Sequence, residues 1–405
     1  MTDTKKSNNV LKRSLGLTSL IAICVGVVVG QGPLITILQG VGINPTGFLV
    51  AMLIAFVLAL GYVFTFSELT LMMPKAGGIS TYTEVAIGHL PAIVVTLGGY
   101  LGIAVFAGAA DLFLLDYVMD ALYPNTFSHF GLWIYVIIII LNILGIEAFA
   151  TVQNLLAFMM LAALLIIGIA GVSSSEVQDI PFDNLFSGLG TLDWNILSLT
   201  VLAVWAFLGM EFVCPLVEET KQPEKNLPKA MIISCFILLV VYGLVALAGY
   251  HKVPGEELVA SSIPHWVLVK SIFGENARLL MAVLAITAAA TCFSTGIASI
   301  SRMLYGMGKN NQLPSAFRLI HPKFKTPWFG ILFQCSLAIA VYVIFQDSQN
   351  VIILMMISCS AIFLLVYITA HLNLIILRKK YPEFHRPYQS PFYPVFQIIG
   401  IIAMI

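Results

Sequence analysis

The stretch Leu15–Val41 (LGLTSLIAICVGVVVGQGPLITILQGV) is apolar, but near its middle it carries the helix-breaking cluster Gly30-Gln31-Gly32-Pro33. A helix opened inside a membrane is tolerated only where its backbone is buried in protein or lines a cavity, because an unpaired N–H or C=O in hydrocarbon is costly. A second break is predicted at Gly209-Met210-Glu211, inside the apolar run Trp194–Leu216. Paired interruptions of this kind are typical of a transporter's binding site.

The composition indicates a protein that crosses a membrane several times. Hydrophobic residues make up 59% of the 405 residues and charged residues only 10%, and the mean hydropathy is +0.97. Soluble domains carry about 25% charged residues. The formal net charge is zero and no basic tract is long enough to suggest nucleic acid, so the lipid bilayer is the expected partner.

Ten apolar runs reach or approach the roughly 17–25 residues that a helix needs to cross a bilayer. They are Leu15–Val41, Thr46–Met73, Leu90–Met119, Gly131–Phe149, Leu155–Val172, Trp194–Leu216, Ala230–Tyr250, Ala277–Met307, Trp328–Phe345 and Val351–Leu377. An eleventh run opens near Pro394 and stops at Ile405, which is too short to cross. We therefore expect an all-α polytopic membrane protein with a truncated eleventh helix.

The basic residues predict the orientation of the spans. If the N-terminus is cytoplasmic, the outer side carries Lys252, Lys270 and Arg278, and the cytoplasmic side carries all the other lysines and arginines. This asymmetry follows the positive-inside rule. The first apolar run is too long for a signal peptide and lacks a small-residue cleavage site, so we expect a retained span. The expected location is the plasma (inner) membrane, with the N-terminus inside.

The broken spans are the first and the sixth, which divides the chain into two units of five spans. An odd number of spans forces the second unit to be inverted relative to the first, an arrangement found in many transporters. We predict a cytoplasmic segment 1–14, a first repeat 15–180, a second repeat 181–380, and a loop with the start of an eleventh helix at 381–405. The alternative is two unrelated glycine kinks, which membrane helices tolerate.

The two breaks predict a site for a zwitterion. Freed N–H groups at a half-helix start carry partial positive charge, so we expect a carboxylate near Gln31, Gly32 and Leu34. Carbonyls freed near Ala206 and Phe207 would bind an ammonium. Glycines at the breaks allow a ligand to approach the backbone closely. The predicted substrate-binding residues are Val29, Gly30, Gln31, Gly32, Leu34, Trp205, Ala206, Phe207 and Gly209.

Placing an ionisable side chain within a membrane span costs free energy, so such a residue is first considered as part of a functional site. Glu211, beside the second break, can alternate between protonated and charged forms, as a proton-coupled carrier requires. Its alternative role is a structural brace for the broken helix. Asp111 is the second candidate for proton coupling, although Asp111 and Asp116 could instead line an outer vestibule. Glu68 lies closer to the cytoplasmic end.

Six motifs in order along the chain resemble the amino acid–polyamine–organocation (APC) permeases. They are Val27–Gly32; Ser67-Glu68-Leu69 with Pro74–Gly78 and Tyr82; Trp205–Glu211 (WAFLGME); Glu218-Glu219 with Asn226–Ala230; Ser301–Tyr305 leading to Leu313-Pro314; and Arg386-Pro387-Tyr388. The resemblance implies a leucine-transporter-like fold of 5+5 inverted repeats. It also implies that Trp205 forms an aromatic lid over the substrate.

The sequence departs from the resembled family at two places. Gln31 stands where relatives usually carry a small serine, so a longer amide beside the carboxylate subsite could shrink the pocket or add a donor. Many relatives place a lysine of the fifth helix against the first and eighth helices, and we assign that place to Met160 here. A sodium ion bound by carbonyls near Ala22 and Val25 remains an alternative. Its hydroxyl ligands would be Ser294 and Thr295, residue types that are also common at helix contacts.

Other protein classes lack support in the sequence. No TVGYG-like filter or acidic ring indicates a channel, and no hydrolase or metalloprotease motif is present, His371 standing alone in its span. No C-x-x-C spacing indicates a metal site, and we expect no cofactor and no enzyme activity. The sequence predicts a secondary active transporter of amino acids or related amines, working by alternating access with proton-coupled symport or exchange. A sodium-coupled transporter and a non-transporting amino acid sensor remain alternatives.

Overall fold

The computed structural model describes residues 11–174, 180, 181, 185, 194–346 and 351–404. Its main helices are α1 (Leu17–Val28), α2 (Gln31–Ile43), α3 (Pro45–Met72), α4 (Ile79–Ala86), α5 (His89–Leu122), α6 (Phe130–Ile143), α7 (Ile146–Ser173), α8 (Asn195–Val204), α9 (Met210–Glu219), α10 (Pro223–Lys252), α11 (Gly255–Ala260), α12 (Pro264–Phe273), α13 (Arg278–Lys309), α14 (Trp328–Phe345), α15 (Val351–Lys380) and α16 (Val395–Ala403). Most of the predicted segment 1–14, and most of the predicted connection between repeats around residue 180, lie outside the described residues.

Within the described residues, seven helices are long and apolar enough to cross a membrane. They are α3, α5, α7, α10, α13, α14 and α15. Helices α1 and α2 form one further span that bends by 61°. The remaining two predicted spans are shorter: α6 has 14 residues, and the sixth span consists of the 10-residue α8 followed by the tightly wound 3₁₀ helix α9.

The two breaks occur where the sequence predicts them, with one adjustment. Between α1 and α2 the chain opens at Val29 and Gly30, whereas Gln31 already begins α2. Pro33 lies in the first turn of α2, where a missing N–H costs no intrahelical hydrogen bond. The proline therefore belongs to the first turn of α2, the second half-helix, instead of forming part of the opened segment.

The predicted fourth span, Gly131–Phe149, is wrong at its end. Helix α6 stops at Ile143, and Ile146 already begins α7. Between them Gly145 adopts a φ of 122°, a backbone conformation that favours glycine. The apolar run continues across this turn, so the turn cannot be recognised from hydropathy alone.

The long helices bury one side and expose the other, as expected in lipid. Helix α13 is the most enclosed, and its alanines, among them Ala285 and Ala288, lie in the core. Small residues of this kind let membrane helices approach closely. On α7, by contrast, Phe158 and Ile169 are exposed large apolar residues, and this face is suited to lipid tails.

Glu68 holds the C-terminal part of α3 to the end of α15. Its buried carboxylate accepts two hydrogen bonds from Arg378, at 2.8 and 2.6 Å, and one from the backbone N–H of Ser390 at 2.7 Å. Glu68 is thus a brace next to the chain that leads into α16. His371, which stands alone in the sequence, lies nearby on α15, with its Nδ1 3.0 Å from Thr65 Oγ1.

The short helix α12, which lies between two predicted spans, supplies a pH-dependent contribution to stability. His265 is buried, its ring nitrogens have no hydrogen-bond partner among the described residues, and burial lowers its pKa to about 4. An unfolded histidine titrates near pH 6.5. Because the folded pKa lies below the unfolded one, the stabilisation is complete above about pH 6.5 and is lost as the pH falls towards 4.

We therefore expect the unfolding temperature of the purified protein to fall between pH 6.5 and pH 4, and to fall less steeply in His265→Gln. Differential scanning fluorimetry across this range measures both profiles. The exposed His385→Gln is the matched control and should follow the parent protein. A His265→Gln profile identical to the parent's would contradict the assignment.

Candidate functional site

The two helix breaks face each other in the middle of the molecule. At the second break Gly209 adopts a φ of 109°, and a Cβ at this position would lie 3.6 Å from Val27 of α1. Glycine at position 209 thus allows the turn, whereas 3.6 Å is an ordinary van der Waals distance that leaves room for a Cβ. Each break places a half-helix start beside a half-helix end.

A cavity of about 100 Å³ lies between the breaks and helices α5, α13 and α15. Gly30, Gly32, Trp205, Gly209 and Asp111 line it, which agrees with part of the predicted site. The rest of the wall is mostly apolar and includes Ala104, Ala107, Gly108, Phe212, Cys292, Phe293, Gly296, Met356, Cys359 and Phe363. The predicted residues that do not line this cavity are Val29, Gln31, Leu34, Ala206 and Phe207.

The side chain of Gln31 is directed away from the cavity. It is fully buried, and its Nε2 donates a hydrogen bond to the carbonyl of Ala285 at 3.0 Å. The expectation that its amide narrows the pocket or adds a donor is therefore wrong. The amide instead ties α2 to α13.

Trp205 lines the cavity and connects two helices. Its indole N–H donates to Ser360 Oγ of α15 at 2.8 Å, and its ring meets Phe363 edge-on at 6.2 Å between centroids. The indole therefore bridges from the end of α8 to α15 along the cavity wall. Sequence reasoning did not anticipate Ser360 or Phe363, since both lie in an uninterrupted span.

Tyrosine hydroxyls satisfy backbone groups that the breaks leave open. Tyr62 of α3 donates to the carbonyl of Phe207, and Tyr242 of α10 donates to the carbonyl of Val28 at 3.2 Å. Tyr367 of α15 accepts the N–H of Gly209 at 3.1 Å. The sequence signal for these residues is a tyrosine in mid-span, because the tyrosines of an aromatic belt lie at the membrane interfaces.

Glu211 lies behind the second break and does not line the cavity. Its carboxyl group is buried, 2.7 Å from the hydroxyl of Tyr367 and 3.4 Å from that of Tyr100. Both hydroxyls can donate to the carboxylate. No ion pair to Glu211 occurs in the described part of the chain.

Asp111 and Asp116 of α5 have different surroundings. Asp116 accepts hydrogen bonds from the hydroxyl of Tyr342 at 2.6 Å and from the N–H of Gly131 at 2.7 Å, so it braces α5 against α6 and α14. Asp111 is 7% exposed and lines the cavity. Its neighbour is the thiol of Cys292, within hydrogen-bonding reach on α13.

An amide nitrogen occupies the place proposed for a cation between the first and eighth spans. Gln153 Nε2 lies 3.2 Å from the carbonyl oxygen of Ala22, 3.4 Å from that of Thr291 and 3.1 Å from Thr295 Oγ1. A Cβ on Gly26 would lie 2.4 Å from this nitrogen, so glycine makes room for the amide.

The assignment of this place to Met160 is therefore wrong, because the Met160 sulfur is a neighbour of the Thr291 hydroxyl at 3.6 Å and Gln153 makes the contacts. Val25 and Ser294 are the other two residues predicted to bind sodium. The carbonyl of Val25 accepts the N–H of Val29 at 2.9 Å. Ser294 is buried on α13. The sequence carried a signal for Gln153, an amide within an apolar span, but not for the direction in which it points.

A buried ion pair lies at the C-terminal end of α9. Arg302 of α13 contacts Glu219 through two hydrogen bonds, at 2.9 and 3.1 Å, and both side chains are 1% exposed. The backbone carbonyl of Glu219 also accepts the N–H groups of Ser14 and Leu15. The chain before α1 is thereby attached to α9, the second half of the sixth span.

Broken first and sixth spans around a central cavity define a membrane transporter of the leucine-transporter-like class. The chain belongs to the amino acid permease family, whose model matches residues 15–405, and it is an amino acid transporter of the APC superfamily, as its motifs predict. Family and relatives are transporters and not enzymes.

Similar proteins cover nearly the whole chain. It is 27% identical to the serine/threonine exchanger SteT of Bacillus subtilis, over 97% of this chain and 90% of the exchanger. It is 25% identical to the branched-chain amino acid permease BcaP of the same organism, over 97% and 86%, and 26% identical to the human cystine/glutamate transporter, over 95% and 77%. A crystal structure of the Eremococcus coleocola manganese transporter shares the fold, with a TM-score of 0.70 at 13% identity, over 100% of this chain and 89% of that one.

We expect Trp205→Ala to remain folded and to bind substrate about twofold to thirtyfold more weakly. An aromatic face over a cationic group contributes about 0.5–2 kcal/mol, and each 1.4 kcal/mol is tenfold in affinity. Initial uptake rates in proteoliposomes at varied substrate concentration measure the effect. Trp205→Phe keeps an aromatic ring but loses the hydrogen bond to Ser360. Its substrate affinity should lie between those of the parent protein and Trp205→Ala. Uptake kinetics unchanged in Trp205→Ala would remove this indole from the site.

Proposed function

We propose that this protein moves amino acids or related amines across the plasma membrane by alternating access, coupled to protons and independent of sodium. The N-terminus is cytoplasmic in this proposal. The observation that carries it is the position of the Gln153 amide among the oxygens that would otherwise be available to a cation.

Hydrogen-bond geometry supports sodium independence. Sodium is a hard cation, and hard cations take oxygen ligands, yet the carbonyl of Ala22 and the hydroxyl of Thr295 both lie next to an N–H donor. A cation could enter only if the Gln153 side chain left, which would leave its amide unpaired in a buried setting. The covalently attached amide therefore supports the contact between α1 and α13 without an ion.

The surroundings of Glu211 support proton coupling. Burial disfavours the charged form of a carboxyl group, and the contacts of Glu211 in the described structure are hydroxyl groups rather than cations. Tyr367 contacts both Glu211 and the N–H of Gly209. A change at the second break, such as substrate binding, would therefore reach the carboxyl through one side chain.

The distribution of charge supports the proposed orientation. Lys252, Lys270 and Arg278 are the basic residues of one end of the bundle, and all the others belong to the opposite end or to the chain before α1. Cytoplasmic loops carry the excess of lysine and arginine in membrane proteins. The end that contains the Arg302–Glu219 pair is then the cytoplasmic one.

Replacing sodium with choline at fixed pH should leave uptake into proteoliposomes unchanged within about twofold. Gln153→Leu should lower uptake in both media, because the carbonyl of Ala22 and the hydroxyl of Thr295 lose a donor. Asn154→Leu, next in sequence and half-buried, is the matched control. Uptake that disappears in choline would overturn the proposal and assign Ala22, Val25, Ser294 and Thr295 to a sodium site.

Glu211→Gln should abolish accumulation driven by a pH gradient and retain exchange of internal for external substrate. Exchange requires no net proton movement, and the amide preserves hydrogen bonding to Tyr367 and Tyr100. Parallel measurements of gradient-driven uptake and of counterflow separate the two activities. Accumulation like that of the parent protein would leave Glu211 as a structural brace.

A further inference from the structure

Asp111 brings a carboxyl group into a cavity whose other described lining residues are uncharged. Asp111 is the one carboxylic acid among the described residues that line the cavity, and none of these residues is a lysine, arginine or histidine. Its neighbour Cys292 offers a thiol, which is a weak donor and carries no charge. An ionised carboxylate in such surroundings needs a compensating charge.

The carboxyl group of Asp111 is adjacent to the first helix break. A Cβ on Gly30 would lie 3.8 Å from both of its oxygens, so the carboxyl group faces the glycine just before the N–H groups of Gln31 and Gly32. Those N–H groups are where a substrate carboxylate is expected. Two carboxylates this close disfavour each other's charged forms, so a neutral zwitterion would leave one negative charge uncompensated.

A substrate with an additional cationic group restores the balance. An ammonium within about 4 Å of the carboxylate favours its charged form and brings the net charge of Asp111 and the ligand to zero. Small residues on the same helix, Ala104, Ala107 and Gly108, also line the cavity and leave room for an alkyl chain that carries such a group.

We propose that Asp111 is the specificity-determining residue of this site and binds a cationic group of the substrate, so that cationic amino acids and organic amines are preferred over neutral amino acids. The proposal rests on the proposed function of this cavity as the substrate site.

The test compares two ligands that differ by one amino group. L-ornithine carries a δ-ammonium, and L-norvaline has the same carbon chain without it. We expect each to be bound by the purified protein in thermal-shift titrations, with ornithine at least tenfold tighter. In Asp111→Asn the preference should fall below about threefold while norvaline binding is retained. Putrescine, which has no carboxylate, should bind the parent protein and lose affinity in Asp111→Asn.

Two carboxylates on the same helix serve as controls. Asp120→Asn changes an exposed carboxyl group near the helix end, and Asp116→Asn changes a half-buried carboxyl group that lies outside the cavity wall. Both should keep the preference for ornithine. If Asp120→Asn lost the preference for ornithine over norvaline, that preference would arise from the electrostatic potential of the protein surface, and the proposal would be overturned.

Equal affinity of the parent protein for ornithine and norvaline would overturn the proposal without any variant, so the test stands even where Asp111→Asn fails to fold. Norvaline uptake without a preference for ornithine would leave the proposed transport function intact and reject the role of Asp111. Loss of gradient-driven accumulation in Asp111→Asn, with no change in preference, would reassign this carboxyl to proton coupling. Absence of binding and uptake for every amino acid and amine tested would reject both proposals.

Discussion

The structure depends on satisfying the polar backbone groups that the two helix breaks leave without a helical partner. Each break leaves polar backbone groups in the middle of a span, and in lipid such groups must find partners within the protein. Tyrosine hydroxyls from three separate helices, Tyr62, Tyr242 and Tyr367, provide them. The helices that carry these tyrosines are thereby fixed in rotation as well as in position, because a phenol must point at a particular backbone atom.

The carboxyl groups near the breaks are separated by role. Asp111 faces the cavity, whereas Glu211 lies behind the second break among tyrosine hydroxyls. A ligand can therefore contact one carboxyl directly and affect the other through the backbone of Gly209 and the hydroxyl of Tyr367. Asp116 and Glu68, also within or near spans, have ordinary hydrogen-bonding partners and hold helices together.

The sequence predicted the features that depend on the local backbone, such as the helix breaks. It did not predict the side-chain contacts that depend on how neighbouring helices pack. Both breaks could be predicted, since glycine and proline act on the local backbone, and the family motifs correctly indicated an amino acid permease. The direction of the Gln31 side chain and the identity of Gln153 as the contact between α1 and α13 could not, because they depend on how the helices rotate against each other. The turn at Gly145 was hidden for another reason: a continuous apolar run does not reveal a change of direction.

The buried pair of Arg302 and Glu219 sets a limit on the energetics of the transport cycle. Separating the sixth span from α13 during the cycle would pull these charges apart. A ligand can shift a conformational equilibrium only by the difference in its affinity for the two states. A substrate bound at micromolar to millimolar concentration contributes about 4–8 kcal/mol in total. Because desolvation offsets much of the attraction within a buried pair, the net strength of this contact can remain below that limit. A pair that attracted more strongly, or one whose charges were not hydrated on opening, would hold the transporter in one state.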